Sequence, residues 1–180
     1  MIKYSLLILL LSFNFSFALT TKTIPKNLEI KLDKVLKEHF NANFANKEIM
    51  QFSEEVHQNV QFNHKEDIIF KLKDINSNTI GFAYVGKARS KIAMFDYVVI
   101  FDKNIVISQV KVLIYRESQG GEIGSKRFLQ QFFGFEKNKE IIYKKDIAGI
   151  SGATMSAVSI TKSINNVLKT MGSLYRLKQL

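Results

Sequence analysis

The chain has 180 residues, 46% of them hydrophobic, with one Pro and no Cys. This predicts a single compact domain and excludes disulfides, thiolate nucleophiles, iron–sulfur clusters and Cys-type zinc sites. The formal net charge is +10, but the Lys residues are spread along the chain without a basic block, which favours a solvated basic surface and no nucleic-acid partner.

Residues 1–18 have the pattern of a secretory signal peptide. Lys3 supplies the positive start, an apolar stretch follows, and Ser16 and Ala18 occupy the minus-three and minus-one positions of a cleavage site. The apolar part is shorter than the roughly 20 residues of a spanning helix. We therefore expect cleavage, with an uncleaved membrane anchor as the alternative, and a periplasmic or otherwise extracytoplasmic location.

The next region, 19–65, is predicted to be an N-terminal helical segment. Apolar residues recur at three- and four-residue steps between Pro25 and Phe44, which indicates an amphipathic helix over about 25–44. Pro25 suits the first turn of this helix. The stretch 48–60 is ambiguous between helix and strand.

The remaining region, 66–180, begins with four β-rich runs at 67–73, 79–85, 92–101 and 105–115, separated by turn-forming residues. In the last run we expect Val106, Val110 and Ile114 to share one face, because they alternate with the residues between them. A short helix with Phe128, Leu129, Phe132 and Phe133 should end at Gly134. The order of elements predicts an α+β fold, an antiparallel sheet of about four or more strands with N-terminal and C-terminal helices packed on it.

A long helix is predicted to close the chain after a Gly-rich loop and to stop at Gly172. Its apolar stripe consists of Ala153, Ala157, Ile160, Ile164, Val167, Leu168 and Met171. Ser151 is a suitable N-cap, which would place Thr154 at about the third helical position. Free N–H groups and the helix dipole at this end would accept a phosphate. On this local pattern alone, however, a plain capped helix without a ligand is the favoured interpretation.

The segment Ser151-Gly152-Ala153-Thr154 resembles the flavinylation motif of the FMN-binding domain family, which includes subunits of the sodium-pumping NADH:quinone reductase and of the Rnf complex. The earlier segment 117–124 is similar in kind and place to that family's Gly-containing loop. The resemblance covers roughly 81–171, and on this basis 66–180 is interpreted as an FMN-binding domain.

The resemblance implies that FMN is the cofactor and that Thr154 carries it through a phosphoester, with Ser151, Gly152 and Ala153 forming the recognition turn. It also implies that Glu117, Gly120, Gly121 and Ile123 contribute to the flavin site, the Gly120–Gly121 loop and Ile123 lying against the ring. Arg116, Lys126 or Lys145 would balance negative charge. The implied partners are a flavin transferase that uses FAD and magnesium, and redox proteins, either soluble or membrane-bound.

The sequence departs from the family pattern at three places. Ala148 stands where the family has an acid three residues before the Ser, and Asp146 is the nearest carboxylate. The upstream loop lacks its Pro, and Ser156 rather than residue 155 supplies the hydroxyl after Thr154. The alternative to a covalent flavoprotein is therefore a non-catalytic exported domain of the same fold that binds flavin noncovalently or not at all.

Other chemistry is disfavoured by order and spacing. The segment 149–153 nearly fits the G-x-S-x-G elbow of α/β-hydrolases, but all three His precede Ser151, whereas that fold places its His last. The match of 159–162 to S-x-x-K lies within a predicted helix, and there is no P-loop. His39, His57 and His64 lack the spacing of a metal-binding pair, so we predict no metal site.

Overall fold

The computed structural model describes residues 23–180; the predicted signal peptide, 1–18, lies outside the described residues. Its four α-helices are α1 (Lys26–Phe40), α2 (Glu54–Asn59), α3 (Lys126–Leu129) and α4 (Thr154–Arg176). Its five strands are β1 (Asn46–Ile49), β2 (Ile68–Lys73), β3 (Thr79–Arg89), β4 (Met94–Phe101) and β5 (Ile107–Ile114). The strands form one antiparallel sheet in the order of the sequence, which confirms the predicted α+β class.

The sheet is covered on both faces. The apolar side of α1, formed by Leu28, Leu32 and Leu36, packs on one face, while α4 packs on the other. The interior strand β4 is therefore buried on both sides, and this explains its nearly continuous apolar sequence. No helix of the described part is both long and apolar enough to cross a membrane.

The helix α1 is shorter than its periodicity predicts. It begins after Pro25, whose carbonyl accepts the N–H groups of Leu28 and Glu29, and it ends at Phe40. A 3₁₀ turn then occupies 41–43. Within 19–65 the ambiguous stretch divides into β1, which pairs with β2, and α2, which Ser53 caps by accepting a hydrogen bond from Val56 N–H. The division of the chain at residue 66 stays a prediction.

The simple alternation predicted for β5 is wrong. Register shifts next to Tyr97 and Phe101 of β4 change which side chains share a face. As a result Ile107 and Val110 pack on the α4 side, while Leu113 and Ile114 pack on the α1 side.

The short helix near Phe128 is α3 followed by a 3₁₀ turn at 130–132. Phe128, Leu129 and Phe132 are buried, as predicted, but Phe133 is exposed because the chain has already left the helical conformation there. Gly134 follows with a φ of 84°, which a residue with a side chain rarely adopts.

The predicted stop of α4 at Gly172 is also wrong. The helix continues to Arg176, and Gly172 lies buried inside it against the side chain of Asn138. Gly172 is therefore a close-packing position rather than a helix end. The whole predicted stripe from Ala153 to Met171 is buried.

One side chain of α4 ties the helix to the preceding segment. The Asn165 carboxamide accepts a hydrogen bond from Ile141 N–H and donates one to the Ile141 carbonyl, each 2.8 Å long. It thus pairs with both backbone groups of Ile141, as a neighbouring strand residue would.

Candidate functional site

Thr154 is the first residue of α4 and its side chain is exposed. The N-cap is Ala153, not Ser151 as predicted from the sequence, and no side chain caps this end. The reason is local: Gly152 has a φ of 80°, outside the helical range, so the helix cannot begin before it. The first helical hydrogen bond runs from Ala157 N–H to the Ala153 carbonyl, 2.9 Å, which leaves the N–H groups of the first turn directed toward the end of the helix.

The two Gly-rich loops are the first loop, residues 117–124, and the second loop, residues 148–152. They lie against each other. Gly120 and Gly152 both have a φ of 80°. A Cβ built on Gly120 would lie 3.5 Å from the Gly152 carbonyl oxygen, and one built on Gly152 would lie 3.5 Å from a carboxylate oxygen of Glu122. The structure therefore brings Gly120 and Gly152, which are far apart in sequence, to one place beside Thr154.

Three consecutive side chains, those of Tyr115, Arg116 and Glu117, anchor the start of the first loop. The Tyr115 hydroxyl donates to the Gln119 carbonyl, 3.0 Å. The Arg116 guanidinium donates to the Met94 carbonyl, 2.8 Å, and to the buried carboxylate of Asp96, 2.5 Å.

Glu117 completes the anchoring of this loop. Its carboxylate accepts the Ser90 hydroxyl and the N–H groups of Ile92 and Ala93, the latter two at 2.8 Å. The Ser90 hydroxyl is the main cause, and the two backbone N–H groups the next, of a Glu117 pKa below its ordinary value. Glu117 therefore joins the first loop to the β3–β4 turn, and one carboxylate oxygen, Oε1, accepts all three hydrogen bonds from that turn.

Two other predicted site residues differ in accessibility. Ile123 is wholly buried in the core on the α4 side, and its contact with a flavin ring stays a prediction. Gly121 is exposed, and a Cβ added there would meet nothing within 4 Å. The open space at Gly121 leaves the backbone of the first loop accessible to a bulky ligand.

The turn before α4 shows where the missing family acid would stand. Ala148 is exposed, and its N–H donates to the Gln131 side chain, 2.8 Å. Asp146, the nearest carboxylate in the sequence, is exposed and accepts the Ile142 N–H at 2.7 Å through one of its oxygens. The carboxylate that approaches the turn is instead that of Glu122, which faces Gly152.

The residues present fit a phosphate ester of FMN in two respects: Thr154 offers an accessible hydroxyl at a helix N-terminus, and open space at Gly121 leaves the backbone of the first loop accessible. Of the predicted charge-balancing cations, Lys126 and Lys145 are exposed, whereas Arg116 is engaged with Asp96. Ser151 is exposed, and Ala153 is buried and fixes the turn to the core.

Sequence reasoning missed the parts played by Tyr115, Ser90 and Glu122. The signal for Glu122 was present, since it lies inside the recognised Gly-rich loop. The contacts of Tyr115 and Ser90 depend on how the first loop folds back onto the end of β5 and the β3–β4 turn. No local sequence pattern predicts them.

The three His lie in unrelated surroundings. His39 contacts the Ser108 hydroxyl, His57 packs against Phe52 and Phe62, and the backbone of His64 donates to Asp67. Within residues 23–180, no group of three or more His, Asp or Glu is arranged to hold a metal ion. Nor does a hydrogen bond in this part of the chain join Ser151 to a His.

Residues 93–169 match the family model of the FMN-binding domain. This match confirms the resemblance found in the sequence, and FMN is the cofactor that it supports. The match includes both Gly-rich loops and most of α4.

A solved structure shares the fold. The crystal structure of Shewanella oneidensis NqrC superposes with a TM-score of 0.54 over 80% of this chain and 88% of that chain, at 13% identity. At this identity the likeness establishes the architecture alone. No curated protein matches the chain.

Proposed function

We propose that this protein is an exported electron carrier that holds FMN through a phosphoester to Thr154. The observation that carries the proposal is the position of Thr154, an exposed hydroxyl at the first residue of a 23-residue helix, at the place where the two Gly-rich loops meet. The partial positive charge of the helix end favours the ester's negative charge.

In this proposal the protein itself only attaches FMN and positions it. The Thr154 oxygen forms a bond to the FMN phosphorus of FAD as the pyrophosphate bond breaks, and AMP and the hydroxyl proton leave. A flavin transferase with magnesium would catalyse this step. When bound, FMN supplies the redox chemistry, while the protein sets its position and local charge.

The test is intact mass and in-gel flavin fluorescence of protein co-expressed with a flavin transferase. We expect the wild type to gain one FMN less one water, and Thr154→Val to gain nothing. Thr154→Ser keeps a hydroxyl and should retain some modification. Thr23→Val, which removes an exposed hydroxyl outside the site, should be modified like the wild type.

An unmodified wild-type chain would contradict the covalent attachment. Titration with free FMN would then decide between noncovalent binding and a domain without flavin. Ala148 in place of the family's acid is the specific observation that favours this second function.

A further inference from the structure

Some cations of the described residues have an acidic partner and others do not. Among the described residues, ion pairs join acids to five cations: Lys34, Lys47, Lys73, Lys87 and Arg116. We call the surface formed by 89–93, 115–127, 143–152 and 154–162 the loop face. Its exposed cations without an ion pair in the described part include Arg89, Lys91, Lys126, Lys144, Lys145 and Lys162.

The segments of the loop face are held together by contacts already described and by one more. Arg89 N–H donates to the Ser159 hydroxyl, 2.9 Å, which places the end of β3 on the second turn of α4. Glu117 joins the following turn to the first Gly-rich loop. Arg89, Lys91 and Lys162 therefore belong to one continuous surface with the first Gly-rich loop and the start of α4.

The loop face also exposes apolar side chains near its centre. Ile92 is 79% exposed, Met155 58% and Val158 46%. Met155 and Val158 are three residues apart on α4 and so lie on one side of it, and Met155 is one turn from Ser159, which contacts the β3 end that leads to Ile92. A small apolar centre within a charged rim is the pattern of weak, transient protein interfaces.

We propose that the loop face docks an acidic electron-transfer protein, one with Asp and Glu around a small apolar patch that carries its redox group. Unpaired cations attract such a partner and speed the encounter. The proposal rests on the proposed function for its purpose, since Thr154 lies on this face, but the docking itself does not require bound FMN.

An anionic lipid surface would meet the same cations, but it fits less well. The loop face also exposes the carboxylates of Glu122 and Asp146. A continuous negative surface would repel both of them. A protein partner can place its acids opposite the cations and leave the positions opposite these two carboxylates uncharged.

The test measures binding of the unloaded protein to a plant-type ferredoxin, a small acidic electron-transfer protein, by NMR with labelled Ile, Val and Met methyl groups. We expect shift changes at Ile92, Met155 and Val158, and binding that weakens as salt is added. The triple variant R89E/K91E/K162E should raise the Kd by about tenfold or more.

The matched control is K26E/K31E/K37E, which makes the same charge change on exposed cations of α1, on the other side of the sheet. It should alter the Kd far less. Ile92→Ser should weaken binding, while Ile75→Ser, at an 83% exposed Ile of the β2–β3 turn, should not.

Three results would overturn the proposal: equal effects of the two triple variants, shift changes on the α1 side, or binding to basic cytochrome c as tight as to ferredoxin. Binding to phosphatidylglycerol vesicles that exceeds binding to ferredoxin, and that the loop-face triple variant abolishes, would assign the surface to lipid instead. All of these experiments use protein without FMN. A failure of flavinylation would therefore not affect their interpretation.

Discussion

Gly120 shows how one residue shapes the candidate site. Its left-handed backbone turns the chain from the Tyr115–Gln119 segment into the 3₁₀ turn that carries Glu122. A side chain at Gly120 would meet the Tyr115 hydroxyl at 2.6 Å. Its neighbour Gly121 has open space around it, so the two positions form a natural matched pair.

We predict that Gly120→Ala lowers the free energy of unfolding by about 1–3 kcal/mol, because it combines a strained φ with displacement of the Tyr115 hydroxyl from Gln119. Gly121→Ala should change it by less than about 1 kcal/mol. Urea denaturation of the two variants checks this, and equal losses would show that the Gly120 conformation is not required.

Glu117 predicts a dependence on pH. Its pKa is lowered in the folded protein by Ser90 and the adjoining N–H groups, so its contribution is fully present above the ordinary Glu pKa and is lost as the pH falls through the lower folded value. Glu117→Gln should therefore lower Tm at neutral pH, and the difference from wild type should shrink once the pH falls below the ordinary Glu pKa. A difference in Tm that stays constant through the acid range would contradict this role.

At the scale of elements, α4 was the most predictable part of the chain. Its stripe follows from apolar spacing alone, because a long amphipathic helix repeats the same signal many times. Both of its ends were predicted wrongly, and the reason is the same. A Gly or a capping residue ends or starts a helix only when its backbone leaves the helical conformation there, and the sequence alone does not show this. Gly152 is left-handed and delays the start, whereas Gly172 is helical and is required by Asn138.

The contact between Gly172 and Asn138 yields the next prediction. Ala is the better helix former by about 1 kcal/mol, yet a Cβ at residue 172 would overlap the Asn138 carboxamide. We expect Gly172→Ala to destabilise the wild type but to be neutral or stabilising in an Asn138→Gly background, since Asn138 has a φ of 65° that Gly tolerates. A double-mutant cycle by urea denaturation measures this coupling, and additive effects would argue against it.

Across the whole molecule, the fold class followed from the order of strands and helices, and the proposed attachment residue, Thr154, was inferred from a four-residue motif. The pairing of β1 with β2 and the register shifts of β5 did not, because they depend on contacts between distant segments. The same limit applies to the site: Thr154 was found from its motif, while the anchoring of Glu117 to the β3–β4 turn required the folded chain.

The sheet separates the core into two clusters, one under α1 and one under α4. Ile100 and Ile164 are fully buried in different clusters. We predict that Ile100→Val and Ile164→Val each cost about 0.5–1.5 kcal/mol and that the double variant shows their sum within about 0.5 kcal/mol. A larger interaction energy in urea denaturation would mean that the faces are coupled through the sheet.

The pairing of Asn165 with Ile141 has a consequence for the other end of its helix. Two hydrogen bonds from one carboxamide to one residue prevent α4 from turning about its own axis. Thr154 lies eleven residues before Asn165 in the same helix. At the rise of an α-helix, the two residues are about 16 Å apart along its axis. The direction in which the Thr154 hydroxyl leaves the surface is therefore fixed in part by an amide about three helical turns away.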